Sequence, residues 1–453
     1  MLREINKYFF LFLGTYRILA AMKEILKEII VSNQNALPAD VRNRSWEMPL
    51  NTGKIVTIPG VRRAGKSSHF FIAQNRLLES GLSRGKILFL NLDDERLDFS
   101  GNNISLILDS YRELYPKIPT NEIYFFLDEI QVADGWEKFV RRIYDNESKN
   151  IYLTGSNSKM LSSEIASALR GRTLQFEIFP LSFSEFCDFK SIEKNHYDSS
   201  NKAILINAFS EYLFKGGFPE IALGKEAFHE QILQEYYYVM IFKDLIERYK
   251  IKNTNVLRYL VKRLLPNLTK PTSTNKIFNE LKSVGVAISK NTVYELIDQL
   301  KNIYMFLSLP KFTVSPIKEF SGIPKYYVID NGFNYALQSM VSENKGIFLE
   351  NAIYLHLRRK YAFGKGLFYF KEKYECDFMC FEKQSVSELI QVCWRLENPE
   401  TRKREINGLL ESAAATGCRN LKIITYDFEE NIKEGGLEIS ILPAWKFCLK
   451  NAD

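Results

Sequence analysis

The stretch that decides the fold is a glycine-bounded loop at residues 60–67, Gly60-Val61-Arg62-Arg63-Ala64-Gly65-Lys66-Ser67. It matches the pattern G-x-x-x-x-G-K-[ST], whose backbone N–H groups turn inward around phosphate oxygens. The β-branched segment 54–59 before the loop predicts a buried strand, and the segment 67–80 after it predicts a helix. Strand, loop and helix in this order predict a phosphate-binding site at the start of a helix.

Each residue of the loop has an expected task. Lys66 would place its ammonium against the β and γ phosphates, and the Ser67 hydroxyl would be a ligand for Mg²⁺. Arg62 and Arg63 lie inside the loop and either contact phosphates or face solvent. The predicted nucleotide-binding set is Gly60, Arg62, Arg63, Ala64, Gly65, Lys66, Ser67 and Ser68.

Further strands supply polar residues at their ends. The apolar run 122–129 ends in two acids, Asp128 and Glu129. Asp128 would hold Mg²⁺ and Glu129 would polarise the attacking water. The alternative is that the two acids merely end a strand. The run 150–158 would bring Ser156 or Asn157 close to the γ-phosphate. With the apolar run that begins at Lys86, four strands alternate with helices. This alternation predicts a parallel sheet with helices on both faces and a ligand at the carboxyl ends of the strands.

A pair of arginines follows the third of these motifs. Arg170 and Arg172 belong to the run Leu-Arg-Gly-Arg at residues 169–172. Either arginine, from the same chain or from a neighbour, could neutralise charge that develops during phosphoryl transfer. The alternative is a surface turn with salt bridges.

Together these segments resemble the AAA-type P-loop ATPases of bacteria and archaea that join the ATPase core to a winged-helix region and a restriction-endonuclease-like end. The segments that carry the resemblance are GVRRAGKSS, YFFLDEIQ, YLTGSNSKML, LRGR and FPLSFSEF. The resemblance runs from about residue 22 to residue 430. It implies ATP binding with hydrolysis, Mg²⁺ as cofactor, and active-site roles for Lys66, Ser67, Asp128, Glu129 and Ser156.

The predicted fold class is therefore α/β: an AAA-type P-loop NTPase core with a parallel sheet, a helical lid, a winged helix and a C-terminal PD-(D/E)xK-like α/β domain. The expected boundaries are a helical segment at 1–40, the core at 41–180, the lid at 181–255, the winged-helix region at 256–335 and the endonuclease-like domain at 336–453. In the lid, Tyr236 and its tyrosine neighbours are expected to be core residues.

The winged-helix region is a candidate DNA-binding module. Residues 251–326 hold 12 Lys and Arg against 4 Asp and Glu, a surplus of 8 within a chain whose net charge is +7. Lys290 and Asn291 stand at the start of the candidate recognition helix, where base edges or phosphates are reached. A solvated basic face, or a winged helix that contacts only proteins, is the alternative.

The C-terminal domain resembles a nuclease that has lost cleavage. Glu350 and Asp377 occupy the positions of metal-binding acids, but the third-acid position is Gln391 and the lysine position is Cys393. An amide balances Mg²⁺ less well than a carboxylate, and a thiol does not replace an ammonium. Glu350 and Asp377 are then relics or structural residues.

Composition bounds the remaining possibilities. With 46% hydrophobic and 25% charged residues, the 453-residue chain is of an ordinary globular type rather than disordered or coiled-coil. Six scattered cysteines and four histidines argue against a disulfide scaffold or a zinc site. Since no run of 18 apolar residues occurs, we expect a cytoplasmic protein with reduced thiols. An amphipathic helix from Met22 raises the hypothesis that translation begins there.

The favoured function is Mg²⁺-dependent ATP hydrolysis that drives or switches the attached modules. Two alternatives belong to other classes: a nucleotide-switched DNA-binding regulator with negligible turnover, and an ATP-gated nuclease. A homo-oligomer and a monomer are both compatible with the sequence.

Overall fold

The computed structural model describes residues 2–36, 41–99, 101, 103–158, 167–313, 322–337, 345–361 and 366–450. The chain forms two compact units. The first comprises residues 1–60 and 65–178, and the second comprises residues 61–64 and 179–453. Among the described helices, each is too short or too polar to serve as a membrane span.

The first unit is built on a five-stranded parallel sheet. Its strands are β1 (Ile55–Pro59), β2 (Ile87–Asn91), β3 (Tyr124–Asp128), β4 (Ile151–Gly155) and β5 (Thr173–Gln175). They lie in the order β2-β3-β4-β1-β5, so the first strand lies between the last two. The predicted parallel sheet is confirmed, and β5 is an additional short strand. The parallel register aligns the carboxyl ends of β1 and β4, where Pro59 faces Gly155.

The described residues of this unit also include four longer α-helices. They are α1 (Leu2–Asn35), α2 (Lys66–Glu79), α3 (Leu106–Leu114) and α4 (Trp136–Asn146). The apolar face predicted from Met22 is buried, since Met22, Leu26, Ile29 and Ile30 belong to the hydrophobic core with residues of β2 and β3. These apolar residues are spaced three or four positions apart, which places them on one face of the helix. Packing such a face against a core supplies most of the stability of a helix in a protein.

The second unit begins with helices, as predicted for the segment after residue 180. They are α5 (Phe183–Phe189), α6 (Ser199–Lys215), α7 (Pro219–Leu223) and α8 (His229–Val239), which runs into a π-helix (Met240–Glu247). Ser182 and Glu185 form a capping box that begins α5. The sequence pattern did not distinguish the π-helical turn from ordinary α-helix.

Next in this unit come helices α9 (Thr254–Leu264), α10 (Thr274–Ser283) and α11 (Lys290–Asn302), and then strands β6 (Phe306–Leu309) and β7 (Lys325–Val328). The two strands pair antiparallel. Ser273 and Ser289 cap α10 and α11 with their hydroxyl oxygens.

The last part of the second unit is a six-stranded mixed sheet. Two helices precede it, α12 (Asn331–Leu337) and α13 (Lys345–Lys360). Its elements are β8 (Leu367–Lys371), β9 (Glu375–Glu382), β10 (Ser385–Val392), α14 (Pro399–Thr416), β11 (Leu421–Thr425), β12 (Glu430–Glu434), β13 (Leu437–Pro443) and α15 (Ala444–Leu449). The strand order is β12-β13-β11-β10-β9-β8, with β10, β11 and β13 parallel. Leu409 of α14 packs with Leu389 and Ile423 of the sheet in one core.

Candidate nucleotide site

The glycine loop follows β1 at the carboxyl edge of the first sheet. The Gly60 N–H donates to the Gly155 carbonyl at 3.1 Å, and a Cβ at residue 60 would lie 2.2 Å from the Ile178 carbonyl oxygen. Only glycine fits so close an approach of two backbones. Gly65 has φ of 90° and precedes Lys66, the first residue of α2. The loop therefore ends at a helix amino terminus, where N–H groups attract anions.

The acid that ends β3 is held by two hydroxyls. Asp128 is 4% exposed, Ser67 Oγ donates to its Oδ2 at 2.6 Å, and the Thr154 hydroxyl donates to its Oδ1. Burial raises the pKa of Asp128, the charge of Glu129 raises it further, and the two hydroxyl hydrogen bonds act in the opposite direction. The loop serine and the predicted metal-binding acid thus share one site.

The second acid, Glu129, is held in a strained backbone conformation. Its φ is 51°, which is uncommon for a residue with a side chain, and its N–H donates to Thr154 Oγ1 at 2.9 Å. Its carboxylate accepts from the Ser156 N–H at 3.1 Å and from Gln131 Nε2 at 2.5 Å. Its Oε1 lies 3.4 Å from Lys66 Nζ. The structure therefore brings together Lys66, Ser67, Asp128, Glu129 and Ser156 within the first unit.

Two residues of this site were missed by the sequence analysis. Thr154 is fully buried, and its single hydroxyl donates to Asp128 and accepts from the Glu129 N–H. Gln131 reaches back to Glu129 from the turn after β3. A hydroxyl one residue before the end of an otherwise apolar strand was the only available signal for Thr154. The sequence analysis instead chose Ser156, whose backbone N–H makes the contact.

The two predicted arginines lie at the other edge of the sheet. Thr173, directly after Arg172, pairs with Ile55 at the amino end of β1, and the Ile55 N–H donates to the Arg172 carbonyl at 2.9 Å. Arg172 forms an ion pair with Asp145 at 2.7 Å. Arg170 is exposed in the same turn. Because β1 runs from this edge to the glycine loop, the same-chain role suggested for these arginines does not fit the geometry.

Residues 61–64, the middle of the loop, belong to the second unit. Arg62 Nε donates to Asp244 Oδ2 at 2.8 Å, and Asp244 is buried in the π-helix. Arg63 is exposed, with its guanidinium 5.6 Å from the Tyr236 ring centre. Ala64 is buried. Arg62 thus pairs with a carboxylate, and its contact with phosphate stays a prediction.

A cleft of about 410 Å³ runs along α2 in the first unit. The segment 41–48, which precedes β1, forms its other wall. Trp46 is partly exposed in this cleft. Its ring packs edge-on against His69, with ring centres 5.1 Å apart, and at a tilt against Phe176, with ring centres 5.0 Å apart. The cleft thus has an aromatic wall, and its lining residue His69 belongs to the first turn of α2, the helix that follows the glycine loop.

Of the acids predicted in the C-terminal domain, Asp377 is buried and Glu350 is half-buried in the second unit. Glu350 lies on α13 and Asp377 on β9. Gln391 accepts from the Asp377 N–H at 2.6 Å and donates to Glu405 Oε2, also at 2.6 Å. Cys393 Sγ donates to the Arg395 carbonyl at 2.8 Å. Of the four predicted positions, Gln391 is therefore the one that touches Asp377.

Comparison with known proteins agrees with this geometry. The family model of an AAA domain matches residues 52–187, and that of a domain of unknown function, DUF8612, matches residues 206–344. An uncharacterized protein of Haemophilus influenzae is 29% identical over 400 residues, which cover 87% of this chain and 94% of that protein. The solved structure of the Aeropyrum pernix ORC1 protein in complex with DNA covers 70% of this chain and 90% of its own, at 13% identity and a TM-score of 0.32.

One likeness extends over nearly the full length of the chain. The uncharacterized protein MJ1544 of Methanocaldococcus jannaschii is 38% identical over 441 residues, which are 94% of this chain and 96% of that protein. The glycine loop, the two acids and the parallel sheet all lie inside the segment that matches the AAA domain. The chain therefore belongs to the family of the M. jannaschii protein MJ1544, with an AAA-type P-loop domain in its first half.

Proposed function

We propose that this protein binds Mg²⁺–ATP and hydrolyses it to ADP and phosphate. The observation that carries the proposal is the convergence of a loop lysine, a loop serine and two acids at one edge of the sheet. Ser67 Oγ lies 2.6 Å from Asp128 Oδ2, and Lys66 Nζ lies 3.4 Å from Glu129 Oε1. Phosphoryl transfer needs little more from a protein than such positioned charges.

The donor set near Ser67 suits the expected metal. Oxygen atoms are the ligands that Mg²⁺ prefers, and the Ser67 hydroxyl with the Asp128 carboxylate would hold it. Bound Mg²⁺ would neutralise charge on the phosphate oxygens. The Thr154 hydroxyl fixes the Asp128 carboxylate, so that its orientation is set before any ligand arrives.

Glu129 would polarise the attacking water. Its carboxylate contacts the Ser156 N–H, Gln131 and Lys66. A triphosphate would attract the Lys66 ammonium and so release Oε1 of Glu129 for water. Substrate binding and activation of the general base would then be linked through this one ion pair.

The arginines would act between neighbouring chains. Arg170 and Arg172 lie at the amino edge of the sheet, whereas the glycine loop lies at the carboxyl edge. A role in stabilising the transferred phosphate therefore requires a homo-oligomer. In a mixed oligomer, Lys66→Ala subunits would supply the arginines and Arg170→Ala/Arg172→Ala subunits would supply an intact phosphate loop. Mixing the two variants should therefore restore part of the activity. No recovery from such a mixture would remove the arginines from the proposed site.

The decisive experiment measures phosphate release and ATP affinity of the full chain with Mg²⁺. Lys66→Ala should lose ATP binding, and Glu129→Gln should bind ATP but lower turnover by about 100-fold or more. The matched controls are Lys86→Ala and Glu122→Gln, which break a surface ion pair at the amino edge of the same sheet. Turnover by Lys66→Ala at the parent rate would refute the proposal.

DNA is a second candidate ligand, favoured by the exposed charge of residues 251–326. Among the described residues of this stretch, the exposed cationic side chains are Lys252, Arg258, Lys262, Lys270, Lys276, Lys282 and Lys290. The helices α10 and α11 followed by antiparallel strands support the proposed winged helix. After its first turn α11 exposes Glu295 and Asp298, so contact would be limited to that first turn, at Lys290 and Asn291.

Salt dependence tests this second candidate. Binding to duplex DNA should weaken steeply as salt rises, and Lys290→Ala should reduce the slope of log affinity against log salt by about 1. Lys138→Ala, an exposed lysine of the first unit, is the control. DNA-stimulated phosphate release would favour a DNA-coupled ATPase over a regulator with negligible turnover. Affinity that is unaffected by salt would count against DNA as a ligand.

A further inference from the structure

A buried lysine in the second unit is surrounded by carboxylates. Lys325, the first residue of β7, has a side chain that is 1% exposed. Its Nζ lies 3.1 Å from Glu350 Oε1, 2.9 Å from Glu375 Oε1 and 2.9 Å from Asp377 Oδ1. An ammonium has three N–H donors, and three carboxylate oxygens accept here. We call these four residues the Lys325 cluster.

The cluster contains both acids that the sequence predicts as metal ligands. Glu350 and Asp377 come from α13 and β9, and Glu375 adds a third acid from β9. In a nuclease-like centre these acids would face a divalent cation. In this structure their oxygens converge instead on the ammonium of a strand that the sequence analysis placed in another domain. Among the described residues, no group of three or more His, Cys, Asp or Glu side chains is arranged to hold a metal ion.

The charges of the cluster are mutually dependent. Burial alone would lower the pKa of Lys325, but the charges of Asp377 and Glu350 outweigh burial and raise it well above its usual range. Lys325 therefore stays an ammonium. Burial also raises the pKa of Glu350, and the neighbouring Asp377 raises it further, whereas Lys325 lowers it. The tethered cation is what keeps these buried acids tolerable.

We propose that the Lys325 ammonium takes the place of the divalent cation in the nuclease-like centre, so that this domain carries a built-in cation and does not cleave nucleic acid. The Lys325 ammonium donates to the three carboxylate oxygens at N–O distances of 2.9–3.1 Å, whereas Mg²⁺ requires oxygen ligands at about 2.0–2.1 Å. A metal ion and an ammonium cannot occupy the same three oxygens. Because Lys325 belongs to the chain, its cation cannot dissociate.

The neighbouring positions agree with this assignment. Gln391, at the position where a third metal-binding acid was expected, is committed to the Asp377 N–H, to Glu405 and to the Glu375 carbonyl. The second oxygen of Asp377 accepts from the Val392 N–H at 3.0 Å. Both carboxylate oxygens of Asp377 are therefore already bound, one to the ammonium and one to the backbone.

The test removes the lysine and offers Mn²⁺ in its place, using the full chain without nucleotide. Lys325→Met should lower the melting temperature, and about 1 mM Mn²⁺ should raise it again by about 3 °C or more. Wild type and the control Lys446→Met, which breaks a partly exposed ion pair with one carboxylate, should show no such rise. Adding Asp377→Asn to Lys325→Met should abolish the recovery. A folded Lys325→Met protein that ignores Mn²⁺ would overturn the proposal.

A second measurement keeps the proposal testable if Lys325→Met does not fold. Calorimetric titration of wild type and of Asp377→Asn with Mn²⁺ should give the same result, because the proposed site already contains its cation. A Mn²⁺ site that is present in wild type and lost in Asp377→Asn would overturn the proposal. Metal-dependent DNA cleavage by wild type that Asp377→Asn abolishes, with or without ATP, would overturn it too. Omitting nucleotide from the binding arms makes their outcome independent of the proposed ATPase.

Discussion

Two buried aspartates of this protein, Asp128 and Asp377, are hydrogen-bonded in different ways. Asp128 accepts hydrogen bonds from the hydroxyls of Ser67 and Thr154. Asp377 accepts from the Lys325 ammonium and from the Val392 N–H. A hydroxyl leaves the carboxylate its full charge, whereas an ammonium cancels it.

The comparison separates a site that can take up a cation from one that already has its own. Ser67 can turn from donating to Asp128 to offering its oxygen to a metal, since a hydroxyl both donates and accepts. Lys325 can only donate. The resemblance to AAA-type ATPases and the resemblance to PD-(D/E)xK nucleases are therefore not equally good guides to activity. At the first site the partner groups leave room for the expected chemistry, and at the second site they replace it.

The largest expected effect is on stability, from Lys325→Met. Removing the ammonium leaves Glu350, Glu375 and Asp377 without their shared cation in a buried position, which should cost about 3–5 kcal/mol. Denaturant unfolding of the full chain measures this loss. The control Lys446→Met removes a partly exposed pair and should cost less than about 1 kcal/mol. Equal losses from the two variants would show that the cluster is no more than a surface-like ion pair.

The next effect is on turnover, from Thr154→Val. The substitution keeps the shape of the side chain but removes the hydroxyl that joins Asp128 to the Glu129 N–H. Misplacing the two acids should lower phosphate release by about 100-fold. Thr57→Val, at a buried threonine of β1 whose hydroxyl lies 3.5 Å from the Leu174 carbonyl, is the matched control. Thr154→Ser should recover most of the activity, and full activity in Thr154→Val would show that the hydroxyl does not position the acids.

The phosphate site could be predicted from sequence because its parts are local. The glycine loop is contiguous, and Asp128 and Ser156 each stand at or just after the end of an apolar strand, whose parallel packing brings them to one edge. Thr154 was missed because its role appears only when β4 lies beside β3. The short strand β5 was missed because its three residues are only partly buried and show no apolar run.

The Lys325 cluster could not be predicted, because its members meet only in three dimensions. Glu350 and Asp377 lie 25 and 52 residues beyond Lys325 in the chain. A lysine at the start of the four-residue strand KYYV is typical of an exposed strand end, and the sequence analysis counted it in the basic surplus of residues 251–326. Its burial depends on three acids, none of which marks it locally. Because Lys325 is paired with these acids, the surplus of positive charge in residues 251–326 that can bind an external anion is smaller than the sequence count suggests.

A third buried aspartate, Asp330, extends the comparison, since its two oxygens accept from the N–H groups of Gly217 at 2.7 Å and Gly332 at 2.8 Å. Burial raises its pKa to about 7, although both hydrogen bonds act in the opposite direction. The folded protein then keeps a proton that the unfolded chain loses above pH about 4. Stability should therefore fall by up to about 1.4 kcal/mol per pH unit between about pH 4 and pH 7.

Asp330→Asn tests this by removing the titration, since the amide resembles the protonated acid. Its stability, measured by denaturant unfolding across that range, should lack the fall attributed to Asp330. The exposed Asp427→Asn serves as control and should keep the wild-type slope. An Asp330→Asn slope equal to that of wild type would mean that the backbone N–H groups keep this carboxylate ionised.

The smallest expected effect concerns the cleft along α2. If the first site takes up an exchangeable ligand, the base of ATP should lie against Trp46, the partly exposed aromatic wall of that cleft. Trp46→Ala should then weaken ATP binding by about fivefold, or about 1 kcal/mol, a typical stacking contribution. Inorganic triphosphate, which has no base, is the matched ligand and should compete equally well against both proteins. Equal weakening for ATP and triphosphate would mean that Trp46 supports the loop rather than the base, because a distorted phosphate site weakens both ligands alike.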